Sequence, residues 1–256
     1  MKKYIFFFFV LLTWNACTKE DRSSCLPDDD LVTPDVSVDI EADTSAFSGI
    51  LQVLPCEPNS SIYYGNYSSS GSLSPFHGNY SLSNGTVTAA APPVKLPVGA
   101  YNMLYWAVPI ASSEDPIYNG MAINEPPLTL GSDLSSLYWE LRPRSSSTDT
   151  TYFPVYDYAY AVAPVYVGKD KLKASLKRAT AGLVVILKNK NGSKLDRSID
   201  SVRVQIGSIA HKLNFFTAIA EDMSSTVSFP LTFDADSTQM SVPTVMLFPF
   251  RPQPFG

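Results

Sequence analysis

Short stretches that alternate apolar and polar side chains recur along this chain, and no long helical stretch competes with them. Asp35–Ile40 is the cleanest case. Val36, Val38 and Ile40 fall on one side, and Asp35, Ser37 and Asp39 on the other. A period of two with β-branched residues marks a half-buried strand. Ser201–Ile206 repeats the pattern with Val202, Val204 and Ile206 inward, and Thr226–Phe233 repeats it with Val227, Phe229, Leu231 and Phe233. In the latter, Pro230 belongs to the outward set. Proline cannot donate to a ladder, so this predicts an edge strand. Gly49–Leu54, Ser135–Leu141 and Thr244–Phe250 read as further strands, and Asn84-Gly85 as the turn of a hairpin.

Other segments are apolar on both faces. In Val94–Val108, Tyr101, Met103, Tyr105 and Ala107 share one face, while Leu104, Trp106 and Val108 share the other. A strand of that kind belongs between covering layers. Leu183–Leu187 reads the same way and predicts a second interior strand. Val155–Val167 is aromatic and strand-like but interrupted by Pro164, and Lys169–Lys177 is basic and helix-tolerant. The expected fold class is an all-β sandwich. Two tandem sandwiches are expected, at 31–166 and 167–256. The second has fewer residues and runs out just after an apolar strand, so it is expected to be incomplete or to leave an edge open.

The first 25 residues set the compartment. Lys2 and Lys3 precede an apolar run, Tyr4–Leu12, that falls short of the roughly 20 residues a bilayer span needs. Ala16 then stands before Cys17. This is the pattern of a secretory signal peptide over residues 1–16 ending in a lipobox, although Trp14 and Asn15 are unusual there. Cys17 is the expected lipidation site. Its acyl chains would anchor the protein at about 0.8 kcal/mol per buried CH₂. Residues 17–30, closing on Asp28-Asp29-Asp30, read as a hydrated tether.

Removing two of the 19 basic residues with the signal leaves 17 against 24 acidic ones, a balance of −7. That disfavours nucleic acid, which wants basic patches. With Cys17 assigned to lipid, Cys25 and Cys56 form an even pair in an oxidising compartment. A Cys25–Cys56 disulfide would close a loop worth roughly 3 kcal/mol; the alternative is two free thiols. His77 and His211 have no Cys, His or acid at metal-ligand spacing, and no metal site or catalytic residue is assigned. The loop around Tyr63, Tyr64 and Tyr67, together with Tyr138-Trp139, offers aromatic rings to a glycan if they are exposed, or to the core if they are not. Arg142–Thr151 reads as an exposed, protease-sensitive loop.

Three motifs together resemble the FimB-like fimbrial anchor and minor-subunit lipoproteins of the fimbrillin superfamily. The start Cys17-Thr-Lys-Glu-Asp21-Arg-Ser-Ser-Cys25-Leu-Pro27 is similar to that family's lipid-bearing terminus, with Leu26 as a departure. Leu96-Pro-Val-Gly99-Ala-Tyr101 is similar to a strand of its first domain. Leu176-Lys-Arg178-Ala-Thr-Ala-Gly-Leu183 is similar to the strand that opens its second. Thr18-Lys19-Glu20-Asp21 also resembles the export tag of surface lipoproteins in Bacteroidales-type bacteria. The resemblance implies two transthyretin-like β-sandwich domains, no enzyme activity and no cofactor. It implies an outer-membrane, lipid-anchored protein at the cell surface whose partners are fimbrial subunits, joined by strand exchange. A glycan-binding or adhesin-type surface lipoprotein is the alternative.

Two outcomes follow from the cysteines. Cys17→Ser should leave the protein in the soluble fraction, as cell fractionation checks. Denaturing alkylation without reductant should find no reactive thiol if Cys25 and Cys56 are bridged; two alkylated thiols would rule the bridge out.

Overall fold

The computed structural model describes residues 30–40, 47–110, 123–144, 150–168, 171–199 and 201–250. Among these, every named element except a 3-10 turn at Leu134–Ser136 is a strand. The strands begin with β1 (Leu31–Val32), β2 (Val36–Ile40), β3 (Gly49–Cys56), β4 (Asn66–Tyr67), β5 (Leu73–Ser74), β6 (Gly78–Ser83) and β7 (Thr86–Ala90). Next come β8 (Leu96–Pro97), β9 (Gly99–Val108), β10 (Ile123–Asn124), β11 (Tyr138–Leu141), β12 (Thr151–Tyr152), β13 (Ala159–Val167) and β14 (Leu172–Arg178). The last are β15 (Ala181–Leu183), β16 (Ile186–Lys188), β17 (Val202–Ile209), β18 (Lys212–Asn214), β19 (Ala220–Glu221), β20 (Ser225–Phe233), β21 (Gln239–Ser241) and β22 (Val245–Leu247). The all-β reading of the sequence holds.

The largest sheet has seven strands in the order β2-β14-β13-β9-β3-β6-β7. β9 lies at its middle, antiparallel to β13 from Ala159↔Ala107 to Val167↔Gly99, and to β3 from Ile50↔Val108 to Cys56↔Asn102. β6 and β7 join through Asn84 and Gly85, at φ 50° and 74°. Both central residues are therefore left-handed, as a tight hairpin turn demands. The outer strands β2 and β7 come back within 8 Å of each other, so the sheet curls toward closure.

As the alternation of β9 predicts, its two faces enter different cores. Tyr101, Met103, Tyr105 and Ala107 pack with Leu51, Val53, Leu82, Val167, Leu172 and Leu176 inside the curl. Leu104 and Trp106 pack on the other face with residues from the second half, among them Trp139, Leu213, Phe215, Phe229 and Phe248. Trp106 is fully buried. Its indole Nε1–H donates to the carbonyl oxygen of Phe215 at 2.9 Å, across 109 residues of chain. Trp139, Tyr158, Tyr160 and Phe215 surround it with ring centroids 5.4 to 6.5 Å away. Tryptophan is seldom fully buried without a partner for its N–H, and here the partner belongs to the other half.

Strand pairing crosses the division expected at 166/167. The Lys169–Lys177 segment, helix-tolerant by composition, supplies strand β14. Leu172, Ala174 and Leu176 turn inward while Lys173, Ser175 and Lys177 stay exposed. β14 pairs with β13 at its end and runs parallel to β2 from Leu172↔Val36 to Leu176↔Ile40, so it belongs to the first sheet.

The second half opposes smaller sheets. One carries β12-β20-β21-β16 with β17 also on β20; another is β10-β11-β18-β19; β15 pairs with β22. The Leu183–Leu187 run does not form one interior strand. It splits into β15 and β16 on different partners, and Val184, Ile186 and Leu187 are 56%, 53% and 39% exposed. Leu183 and Val185 alone turn toward the core. Thr226–Phe233 is not an edge strand: β20 has β17 on one side and β12 and β21 on the other. Pro230 is tolerated because β12 pairs only with Thr226–Val227 and β21 only with Thr232–Phe233. Its missing N–H points into the gap between them.

Trp106→Ala should destabilise the protein by about 3–5 kcal/mol. Trp106→Phe keeps most of the packing but strands the Phe215 carbonyl, for about 1–3 kcal/mol. Urea unfolding followed by circular dichroism reads both.

Candidate functional site

The residues expected to carry lipid or a disulfide fall differently. Cys17 and Cys25 lie outside the described residues. Cys56 ends β3 and is completely buried, with its thiol 3.9 Å from the Leu54 carbonyl oxygen. Burial, reinforced by the Asp133 and Glu57 carboxylates, pushes its pKa up to about 12. A thiol held there is a poor nucleophile.

The aromatic residues that a glycan could have used are mostly inside. Tyr63 is fully buried and donates its phenol to the Pro75 carbonyl oxygen at 3.0 Å; Tyr67 and Trp139 are 6% and 2% exposed. Trp139 stacks on Tyr158 at 5.7 Å and packs on Phe215 at 5.0 Å. Its ring has no free face for a sugar, so Trp139 is a core residue. Tyr138 is half-buried beneath the Lys212 ammonium, 4.3 Å from the ring centroid.

Arg142 and Arg144 do not wave freely. Their guanidinium groups lie 4.6 and 4.1 Å from the Phe153 ring centroid, and Arg144 Nε donates to the Ser228 carbonyl oxygen at 2.8 Å. Residues 145–149, the rest of the expected protease-sensitive loop, lie outside the described residues. Arg178, the arginine of the third motif, forms an ion pair with Asp157, whose other oxygen accepts from Thr180 Oγ1 at 3.3 Å. This ties the end of β14 to the segment that leads into β13. His211 Nδ1 sits 3.0 Å from Ser225 Oγ with its ring against Tyr152, and burial lowers the pKa of His77. Among the described residues no three His, Cys, Asp or Glu side chains converge on a metal position, and no helix is long and apolar enough to cross a membrane.

The feature that remains is an edge. β17 pairs with β20 from Val202↔Leu231 to Ile206↔Val227, then bulges before Ile209↔Ser225. Among the described residues no other strand lies along its outer side. The Ser228 carbonyl turns away from β17 to meet Arg144. Antiparallel pairs alternate in direction, so Gln205, opposite Ser228, and Arg203, opposite Pro230, point their N–H and C=O groups outward. Val202, Val204 and Ile206 face the core yet are only half-buried, while Arg203 and Gln205 are exposed. An edge with free main-chain groups and half-covered apolar side chains accepts another strand. At Ile209 the chain returns through Phe250. That contact and the bulge, with Ser208 at φ 58°, limit the open stretch to Val202–Ile206. The sequence carries the alternation; that no described strand covers its outer side depends on how β20 and β21 are ordered, which no local pattern encodes.

No curated protein sequence matches the chain. The fold is shared with a candidate polysaccharide-binding protein of Bacteroides thetaiotaomicron, at 18% identity and a TM-score of 0.50, over 85% of this chain and 71% of that one. A candidate adhesin of Bacteroides ovatus aligns at 11% identity and a TM-score of 0.49, over 93% and 73%. The fimbrial anchor protein Mfa2 of Porphyromonas gingivalis aligns at 12% identity and 0.48, over 86% and 74%. The family model for fimbrillin-A associated anchor proteins Mfa1 and Mfa2 matches residues 32–254. The chain belongs to that family of fimbrillin-A associated anchor proteins.

Proposed function

We propose that this protein is an anchor or assembly subunit of a cell-surface fimbria and that it holds its partner by taking a strand onto the outer edge of β17. The observation that carries the reading is the family match over residues 32–254, which spans both hydrophobic cores. The open edge supports it. A partner strand laid along Val202–Ile206 would find outward main-chain groups at Arg203 and Gln205, and its alternate side chains would cover Val202, Val204 and Ile206. Main-chain bonds supply affinity in such an exchange and the alternate pockets supply register.

The same reading covers the amino terminus. Residues 1–16 are a cleaved signal, Cys17 carries lipid in the outer membrane, residues 17–30 are the tether, and two sandwich units follow. A fibre built head to tail does not close on itself, so a lipidated subunit is suited to end it. The role is structural: the partners are protein subunits and no reaction is assigned.

Gln205→Pro removes one outward N–H while leaving the ladder to β20 intact. Captured on beads, this variant should retain at least tenfold less sheared fimbriae than the wild type, with Gln205→Ala unchanged. Equal capture by all three would refute the β17 edge. Deleting the gene should leave shed or over-long fibres in electron micrographs, whereas unaltered fimbriae would refute the anchor role.

A further inference from the structure

A cleft lies between the β4–β5 hairpin and the segment Pro92–Lys95, in the half of the molecule that holds the seven-stranded sheet. It has a volume of about 400 Å³, within the ordinary range for small-ligand sites. Asn66 builds it. Only 2% exposed, it donates Nδ2–H to the Pro93 carbonyl oxygen at 2.9 Å, and its Oδ1 accepts the Lys95 N–H at 2.7 Å. Ser74 Oγ donates to the Asn66 carbonyl oxygen at 3.1 Å, and Tyr67 N–H donates to the Lys95 carbonyl oxygen at 3.1 Å. The two walls are therefore bolted at a fixed distance.

The contents of the cleft are amphipathic. Phe76 stands at its side with 70% of its surface exposed, beside the rings of Pro92 and Pro93. Around these lie the hydroxyls of Thr33 and Ser69, which are exposed and have no hydrogen-bond partner among the described residues. Among the described residues no carboxylate lines the cleft. The backbone at Tyr67 and Lys95 is already paired, so these walls offer side chains rather than a free strand edge. An extended peptide would find little ladder to join here. A pyranose ring has the matching form, because its C–H face packs on an aromatic or proline ring and its rim of hydroxyls meets Ser and Thr.

We propose that this cleft is a saccharide-binding site in which Phe76 is the stacking platform and the Thr33 and Ser69 hydroxyls orient the sugar. It is independent of the β17 edge, so either can fail without the other. The full-length protein in detergent is titrated by calorimetry with maltoheptaose, cellohexaose, a mannan oligosaccharide, a mucin-type O-glycan and a hyaluronan hexasaccharide. The last two stand for host surfaces and the first three for bacterial, plant or fungal polysaccharide. At least one should bind, and Phe76→Ala should weaken it at least tenfold. Phe76 is solvent-exposed, so that variant should fold normally. Tyr166→Ala, which removes a 65%-exposed ring on β13, should leave binding unchanged. The assignment is overturned if none of the five binds, if binding survives Phe76→Ala, or if a polyproline decapeptide occupies the site in their place.

Discussion

One indole N–H, donated by Trp106 to a carbonyl 109 residues away, fixes the relation between the two halves of this molecule. The bond is possible only because β9 is covered on both faces. One face closes the core inside the curled seven-stranded sheet, and the other presents Leu104 and Trp106 to the second core. A buried N–H without its acceptor would cost about 1–3 kcal/mol, so Phe215 must stay in place. Phe215 follows β18 directly, and β18 pairs with β11, which carries Trp139. The aromatic cluster thus spreads one local constraint through the second half.

That arrangement separates the parts of the fold that were legible in sequence from those that were not. The alternation of β2, β9, β17 and β20 gave their inward faces correctly, because side-chain direction along a strand is a local property. Asn84-Gly85 gave its hairpin for the same reason. The Leu183–Leu187 run misled because an apolar composition does not say which strands are available to cover it; the chain divides its pairing between β22 and β21 and leaves one face bare. Pro230 misled because the edge rule assumes a partner along the whole strand. β20 has partners at both ends of one side and a gap between, and the proline sits in the gap. Leu172–Lys177 became a strand because β13 and β2 offered it ladders, which outweighs a weak helical tendency.

The same distinction applies to the sites. A row of aromatic residues in sequence resembles a sugar-binding surface. Once folded, Tyr63, Tyr67 and Trp139 form core, and the exposed ring beside the cleft is Phe76, where a single phenylalanine in a loop carries no periodic signal. An edge strand is a hazard that most sheets cover, charge or twist away. This molecule turns β2 and β7 toward each other, bulges β17 at Ser208 and sets Arg203 on the exposed side. It still leaves Val202–Ile206 with outward main-chain groups and half-covered apolar side chains. Under the proposed strand exchange, that exception is where a partner strand would sit.

Amide hydrogen exchange on β17 tests this account most directly. In the isolated protein the Arg203 and Gln205 amides should exchange rapidly while those of β9 stay protected; adding purified fimbrial subunits should slow the two β17 amides at least tenfold and leave β9 as it was. Slow exchange at Arg203 and Gln205 before any partner is added, or unchanged exchange there once fimbrial subunits are bound, would contradict it.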